Sequence, residues 1–205
     1  MSGLRESQKA GRRKRILKAA RRHFMERGYE AATIEAIAET AEVSAVTVFN
    51  HYGTKGGVLL ALVGESDSIL IGKINEILGD PPSDPLEAVL RFSQFICRHA
   101  LEYLHKPVWR HVIATAVIEG SSEFGRGYAA LDRELVRMLA SLLDNQKDRG
   151  PLPADYPSAT AAGVLYNLHN TRFVEFMSDD EMSLEKFDDL VRTDIAYVMR
   201  EPLSS

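Results

Sequence analysis

Residues 33–55 have the sequence TIEAIAETAEVSAVTVFNHYGTK, and this stretch decides the fold. Two short amphipathic segments lie within it, at 33–40 and 44–51. Each opens on a hydroxyl residue, Thr33 or Ser44, of the kind that caps a helix N-terminus. Two short helices joined by a tight turn can place the second helix in the major groove of DNA. The stretch therefore predicts a helix-turn-helix unit.

The second helix has two faces at about 100° per residue. The face predicted to pack on the preceding helices consists of Ala45, Val48, Phe49 and Tyr52. The face predicted to point outward consists of Val46, Thr47, Asn50 and His51. Small polar tips and one apolar group suit base edges, thymine methyls and phosphates. Capped amphipathic helices also occur in any helical protein, so periodicity alone leaves the partner open.

Charge is distributed unevenly along the chain. Residues 1–55 contain 11 Lys+Arg and 6 Asp+Glu, whereas residues 56–205 contain 14 and 23, in a chain of net charge −4. The densest run consists of Lys9, Arg12, Arg13, Lys14, Arg15, Lys18, Arg21 and Arg22. Such a run favours phosphate binding, although a solvated helix face or a targeting signal has the same composition. Residues 1–11 are predicted to be a basic arm, followed by an amphipathic helix that Gly28 ends.

Residues 12–62 resemble the DNA-binding domain of the TetR family of bacterial transcriptional regulators. The basic helix, FMERGYEAATIEAIAETAEVS and VSAVTVFNHYGTKGGVLLAL carry the resemblance in that order. Residues that match the family pattern in the last phrase are Thr47, Val48, Phe49, Tyr52 and Lys55. Pattern and resemblance together predict DNA contacts from Thr33, Ser44, Ala45, Val46, Thr47, Asn50, His51, Tyr52 and Lys55. Backbone phosphate is the expected partner of Thr33, Tyr52, Lys55 and some of residues 12–22.

The chain departs from the family pattern at three places. Phe49 stands where tyrosine is common, and Val46 stands where glycine is common. Gly56 and Gly57 occupy the first turn of the next helix, where the family usually has an acidic residue. Because glycine is a poor helix former, the pair is predicted to loosen this joint and to leave Lys55 free for phosphate.

The whole chain predicts an all-α fold of about nine helices, since no segment shows convincing strand alternation. The later helices are predicted at about 57–78, 84–105, 107–119, 123–147, 157–177 and 183–200. Residues 1–55 are predicted to form the DNA-binding domain. Residues 56–205 are predicted to form a larger effector-binding and dimerisation domain.

The resemblance implies a homodimer formed through the eighth and ninth helices and bound to a palindromic operator in double-stranded DNA. The stripe on the eighth helix consists of Ala161, Ala162, Leu165, Leu168, His169, Arg172, Phe173 and Phe176. The stripe on the ninth consists of Phe187, Leu190, Val191, Ile195 and Val198. Each of these residues suits an internal core equally well. In a dimer, recognition helices about 34–36 Å apart meet successive major-groove faces.

The resemblance also implies a pocket for a small, mostly apolar effector within the fourth to eighth helices. Its candidate lining residues are Phe95, His99, Tyr103, Trp109, His111, Ile113, Tyr128, Tyr166, Asn167, His169 and Phe173. Each one also suits an ordinary core position. His99, His105 and His111 lack the i, i+4 spacing of paired ligands, so no metal site is predicted, and no cofactor is expected.

Several classes of protein are disfavoured. The chain has no G-x-S-x-G, phosphate-loop or dinucleotide motif, so an enzyme is not expected. The single Cys97 excludes an internal disulfide and suits a reducing cytoplasm. No run of about 18 apolar residues occurs, so no membrane span is expected. The main alternative to a ligand-responsive repressor is an effector-independent or architectural DNA-binding protein, and activation stays open beside repression.

Overall fold

The computed structural model describes the backbone of residues 2–200 and the side chains of residues 6–75 and 79–199. Within residues 2–200 the chain is helical and contains no strand, which confirms the all-α class. The helices are α1 Ser2–Ala31, α2 Ile34–Thr40, α3 Ala45–Tyr52, α4 Lys55–Leu78, α5 Pro85–Tyr103, α6 Lys106–Glu119, α7 Glu123–Asp148, α8 Ser158–Ser178 and α9 Leu184–Arg200. No helix in the described part of the chain combines the length and apolarity needed to cross a bilayer.

The N-terminal basic segment is part of α1. Residues 2–11, predicted to be an arm, continue directly into the helix, while Met1 lies outside the described residues. Helical geometry breaks at Gly28, where φ is 79° and ψ is 167°. Glycine adopts this positive φ without steric cost, so the predicted stop at Gly28 is confirmed.

The chain divides into two compact units. The first comprises residues 1–66 and 103–128, and the second comprises residues 67–102 and 129–205. This division differs from a boundary at residue 55 because α6 packs against α1 and thereby joins the first unit. The functional division at residue 55 stays a prediction.

The first unit has its own apolar core. α1 packs on α2, and α2 packs on α3. Its most deeply buried side chains include Ile16, Phe24, Ile37, Val48, Leu59, Leu62, Leu104 and Val112. Two polar contacts from α1 hold the C-terminal end of α2: Arg15 Nε donates to the Ala41 carbonyl at 3.2 Å, and His23 Nε2 lies 2.8 Å from Thr40 Oγ1. The turn before α3 is therefore fixed to α1.

The second unit has a core in which α8 packs on α9. The buried members of the two predicted stripes are Ala161, Ala162, Leu165, His169, Phe173, Phe176, Phe187, Val191 and Ile195. Of the two environments left open for these residues, the internal core is the one observed, because one chain buries them without a partner. Leu168, Arg172, Leu190 and Val198 keep partial exposure.

Candidate nucleic-acid interface

The helix pair is capped as its sequence predicts. Thr33 Oγ1 accepts a hydrogen bond from the Ala36 amide at 3.1 Å, and Ser44 Oγ accepts one from the Thr47 amide at 3.1 Å. These bonds satisfy N–H groups that the first turn of a helix otherwise leaves unpaired. Ser44 Oγ also lies 2.8 Å from Thr47 Oγ1, so the hydroxyls of both residues are already engaged with each other.

The rotation of α3 is set by Val48, which is completely buried. Val46 is 66% exposed and Asn50 is also exposed, which confirms the outward orientation predicted for these two residues. Phe49 is 64% exposed, so the prediction that it packs on the preceding helices is wrong. Phe49 lies about 100° around the helix from Val48, so its ring points away from the core that buries Val48. We call Val46, Phe49 and Asn50 the exposed face of α3.

The last two side chains of α3 differ from this face. The hydroxyl oxygen of Tyr52 is buried, and burial raises the Tyr52 pKa while nearby Arg13 acts in the opposite direction. In this conformation the hydroxyl cannot reach a phosphate, which argues against the predicted role of Tyr52. The pKa of His51 is lowered by burial first, and then by Lys9, Arg12 and Arg13. Both effects favour the neutral imidazole of His51.

These pKa effects also locate positive charge. Lys9, Arg12 and Arg13 of α1 lie near enough to the end of α3 to act on His51, and we call them the basic cluster. Other arginines of the same run have partners within the first unit. Arg15 donates to Ala41, Arg21 Nε donates to the Tyr103 carbonyl at 2.8 Å, and Arg22 pairs with Glu26 at 2.9 Å. The basic run thus supplies both structural contacts and cations beside α3.

Lys55 has a structural position that the sequence did not reveal. Its Nζ donates to the carbonyls of Tyr29, Glu30 and Ala32 at 2.9, 3.1 and 3.1 Å, and lies 4.4 Å from the centre of the Tyr29 ring. An ammonium group has three N–H donors, and all three are used here. The predicted phosphate role of Lys55 is therefore at odds with its placement, which instead stabilises the end of α1.

The joint between α3 and α4 depends on a close backbone approach. A Cβ atom added to Gly57 would lie 2.0 Å from the Tyr52 carbonyl oxygen, which no side chain can tolerate without backbone movement. The Gly57 amide also donates to Thr54 Oγ1 at 2.9 Å, so Thr54 caps the start of α4. The expectation that the glycine pair loosens this joint is corrected, because Gly57 lets the two helices meet closely.

A cleft of about 600 Å³ opens beside the end of α3. Phe49, Asn50 and His51 line it from α3, while Glu119 and Glu123 line it from the ends of α6 and α7. The carboxylates limit the positively charged surface on this side. The site thus combines an uncharged exposed face of α3 with a basic cluster on one side and an acidic border on another.

The residues predicted to line an effector pocket are divided between the two units. The first unit contains Tyr103, Trp109, His111, Ile113 and Tyr128, and the second contains Phe95, His99, Tyr166, Asn167, His169 and Phe173. Tyr103 donates to Glu65 at 2.5 Å, and the His111 ring packs 4.9 Å from that of Tyr29. These are internal contacts of the first unit. Asn167 is exposed, so its predicted place inside a pocket is not supported.

Polar groups are nevertheless buried in the second unit. Ser93 Oγ lies 2.6 Å from His169 Nδ1, and the Tyr166 hydroxyl donates to Asp132 at 2.7 Å. Burial lowers the pKa of His169 to about 4. The cavity beside Ser93, Tyr166 and His169 has a volume of only about 10 Å³, near the minimum for one water molecule.

Two carboxylates of this unit were missed by sequence reasoning. Burial, and then the charge of Asp132, raises the pKa of Asp67 to about 7. Burial also raises the pKa of Asp132, although the hydrogen bond from Tyr166 acts against it. Aspartates within helices usually face solvent, so no pattern in the sequence distinguished these two from the exposed ones.

The capped helix pair, the exposed face of α3 and the basic cluster define a helix-turn-helix DNA-binding protein. The model of the tetR family of bacterial regulatory proteins matches residues 16–62. Residues 16–62 therefore form a DNA-binding domain of the TetR type, and the chain is similar to bacterial transcriptional regulators.

Known proteins that resemble the chain are regulators of the same kind. The HTH-type transcriptional repressor Rv1474c of Mycobacterium tuberculosis is 28% identical over 162 residues, which cover 75% of each chain. The HTH-type transcriptional repressor AcnR of Corynebacterium diphtheriae is 44% identical over 54 residues, 26% of this chain and 28% of AcnR. The crystal structure of Thermus thermophilus FadR, a TetR-family repressor in complex with lauroyl-CoA, has a TM-score of 0.72 at 20% identity and covers 94% of this chain and 98% of FadR. The last comparison shows a shared fold.

Proposed function

We propose that the protein is a dimeric, ligand-responsive repressor that places α3 in the major groove of a palindromic operator. The observation that carries this proposal is the exposed face of α3, which is uncharged, rigidly oriented by Val48 and adjacent to the basic cluster. Such a face can contact base edges without the strong, sequence-independent attraction of a lysine or arginine.

Affinity and sequence choice come from different residues in this proposal. Lys9, Arg12 and Arg13 neutralise phosphates and release counterions, which supplies most of the salt-dependent affinity. Asn50, Val46 and Phe49 supply sequence choice, because they are the exposed side chains of α3. Thr33 and Ser44 add phosphate contacts through the helix N-termini that they cap. Lys55 and Tyr52 act indirectly, by holding the helices in place.

The proposed dimer uses the side of α8 and α9 that one chain leaves uncovered. Val164 is 45% exposed and Tyr197 is 70% exposed, so neither side chain is part of the core of one chain. Between the helices lies a groove of about 450 Å³ lined in part by Leu168, Thr171 and Tyr197. The ion pair of Arg172 with Asp194, at 2.6 Å, lies at the same groove and can fix register between subunits. Covering this surface with a second copy would remove exposed apolar area from water.

The proposed effector binds in the second unit. A small, mostly apolar molecule would displace core side chains there and use Ser93, His169 or Tyr166 as a polar anchor. Because the cavity beside these residues is only about 10 Å³, binding must repack the core. An effector that prefers a conformation with the wrong spacing of recognition helices would release DNA. The same small volume favours an effector-independent regulator as the second candidate.

Selection of duplexes from a random library tests the DNA-binding part. We expect a palindromic consensus, with binding that weakens steeply as salt rises. Asn50→Ala should cost about 1–3 kcal/mol on the selected duplex and little on random DNA. Equal losses on both would exclude base contact by Asn50.

Release of the labelled operator by small molecules tests the ligand-responsive part. Lauroyl-CoA, the compound bound to the Thermus thermophilus relative, is the first probe. Apolar acids and amines without the CoA group are the next. Displacement that disappears on Tyr166→Phe places the effector in the second unit. A protein that retains its operator in the presence of every compound of the series supports the effector-independent alternative.

A further inference from the structure

We infer that Val46 and Phe49 contact thymine 5-methyl groups, so that each operator half-site carries T·A pairs where these side chains enter the groove. The inference rests on the proposed function, since it takes α3 as the helix in the major groove. It deepens that proposal by naming the chemical class of base that α3 selects and by giving Phe49 a role in selection.

Two large apolar side chains are exposed on one short helix, α3. Val46 and Phe49 are each about two-thirds exposed, whereas Val48 between them is completely buried. Exposure of apolar surface has a cost in water, and that cost disappears when a partner covers it. A DNA partner that offers an apolar group at the position of this helix would remove that cost.

The side chains of Val46 and Phe49 share one face of α3. Residues 46 and 49 are three apart, so they project within about 60° of each other on a helix. Asn50, the third member of the exposed face, follows Val46 by one full turn. All three side chains can therefore meet neighbouring base pairs of the same groove.

α3 lacks the commonest contact to guanine. Residues 44–53 contain no Lys or Arg, the side chains that recognise guanine through O6 and N7. The Ser44 and Thr47 hydroxyls are 2.8 Å apart and share a hydrogen bond. The exposed side chains of α3 are one amide, at Asn50, and two apolar groups, at Val46 and Phe49.

These exposed groups of α3 have matching partners in the major groove. Thymine's 5-methyl is the apolar feature that a base pair presents there, and adenine N6 and N7 are the usual partners of an asparagine amide. A face of one asparagine and two apolar side chains is therefore complementary to A·T and T·A pairs. Phe49 takes part because its ring is exposed, and it lacks the hydroxyl that would favour phosphate.

Replacement of thymine by deoxyuridine tests this inference, because it removes only the 5-methyl group. In the selected operator each thymine is replaced singly, symmetrically in both half-sites, and the Kd is measured for the full-length protein and for V46A, F49A and F49L. Both positions are exposed, so the variants are expected to fold, and far-UV circular dichroism checks this. Asn50→Ala serves as the matched control.

We expect deoxyuridine to weaken binding about fourfold per contacted methyl, the equivalent of one buried CH₂ group. The loss of affinity at one thymine position should vanish in V46A, and the loss at another should vanish in F49A. F49L should retain part of the loss that F49A abolishes. Asn50→Ala should weaken binding overall and keep both penalties.

Three results would overturn the inference. The first is that no deoxyuridine substitution weakens binding more than twofold. The second is that the losses of affinity persist unchanged in V46A and F49A. The third is that F49A alters only the response to small molecules, which would assign the Phe49 ring to the adjoining cleft. Each of these leaves sequence-specific binding intact. Failure to select any duplex above random DNA would instead refute the proposed function itself.

Discussion

Gly57→Ala tests the close approach between α3 and α4. Its Cβ would lie 2.0 Å from the Tyr52 carbonyl oxygen and 3.1 Å from the carbonyl carbon. Both are backbone atoms, so no rotamer change relieves the overlap, and α3 must shift relative to α4. Gly56→Ala is the matched control, because its Cβ would meet only Thr54 Oγ1 at 3.5 Å and the Tyr29 hydroxyl at 3.9 Å.

The expected magnitudes separate the two variants. Helix propensity alone favours alanine over glycine by up to about 1 kcal/mol, so Gly56→Ala should be neutral or stabilising. Gly57→Ala gains the same propensity but incurs an overlap that typically costs about 1–3 kcal/mol in a packed interior. We therefore expect Gly57→Ala to be less stable than Gly56→Ala by on the order of 2 kcal/mol.

Urea unfolding monitored by far-UV circular dichroism gives the free energy of unfolding for each variant. Operator affinity, measured where both variants remain folded, should fall for Gly57→Ala, since a shift at the Tyr52 carbonyl moves the exposed face of α3. Equal stability and equal affinity of the two variants would refute the reasoning, because the joint would then have room for a side chain at residue 57.

Three further predictions concern charge and assembly. The pKa of Asp67 is raised to about 7, above its value in the unfolded chain, so ionisation of this carboxylate destabilises the fold as pH rises from about 4 to 8. Asp67→Asn should therefore raise the free energy of unfolding by on the order of 3 kcal/mol more at pH 8 than at pH 4. An equal gain at both pH values would contradict this. Lys55→Ala should lower stability by about 1–3 kcal/mol and leave the slope of log Kd against log salt unchanged. Lys9→Ala should leave stability unchanged and reduce that slope by about 0.9 for each subunit, which is about 1.8 for the proposed dimer. The reverse pattern would return Lys55 to the phosphate contacts. Val164→Asp should convert the proposed dimer to a folded monomer in light scattering, whereas Val117→Asp, at a position that is 76% exposed on α6, should leave it intact. Dissociation by both variants would point to a general effect of the added charge.

Much of the local structure is predictable from the sequence. The caps at Thr33 and Ser44 and the break at Gly28 are found where the sequence places them. Each depends on a residue type and its near neighbours along the chain, because a cap satisfies amides two or three positions away. The ends of the later helices follow for the same reason, since proline and glycine act locally.

The environment of single residues is less predictable. Periodicity places Val48 and Phe49 about 100° apart on α3, both on the face expected to pack, but Val48 is completely buried and Phe49 is 64% exposed. The apolar residues of the stripes on α8 and α9 have the same helical spacing whether a second copy or the same chain covers them. Periodicity identifies the members of a face, and the neighbouring elements determine what covers it.

The amino-acid sequence by itself determined the helices, their caps and the TetR-type DNA-binding domain that residues 16–62 match. Tertiary structure decided which charged groups remain available to DNA. Lys55 is bound to carbonyls 23 to 26 positions earlier in the chain, and Asp67 owes its raised pKa to burial and to Asp132 on another helix. Such partners are distant in sequence, and the free energy of a charge depends on the groups and the solvent around it in space.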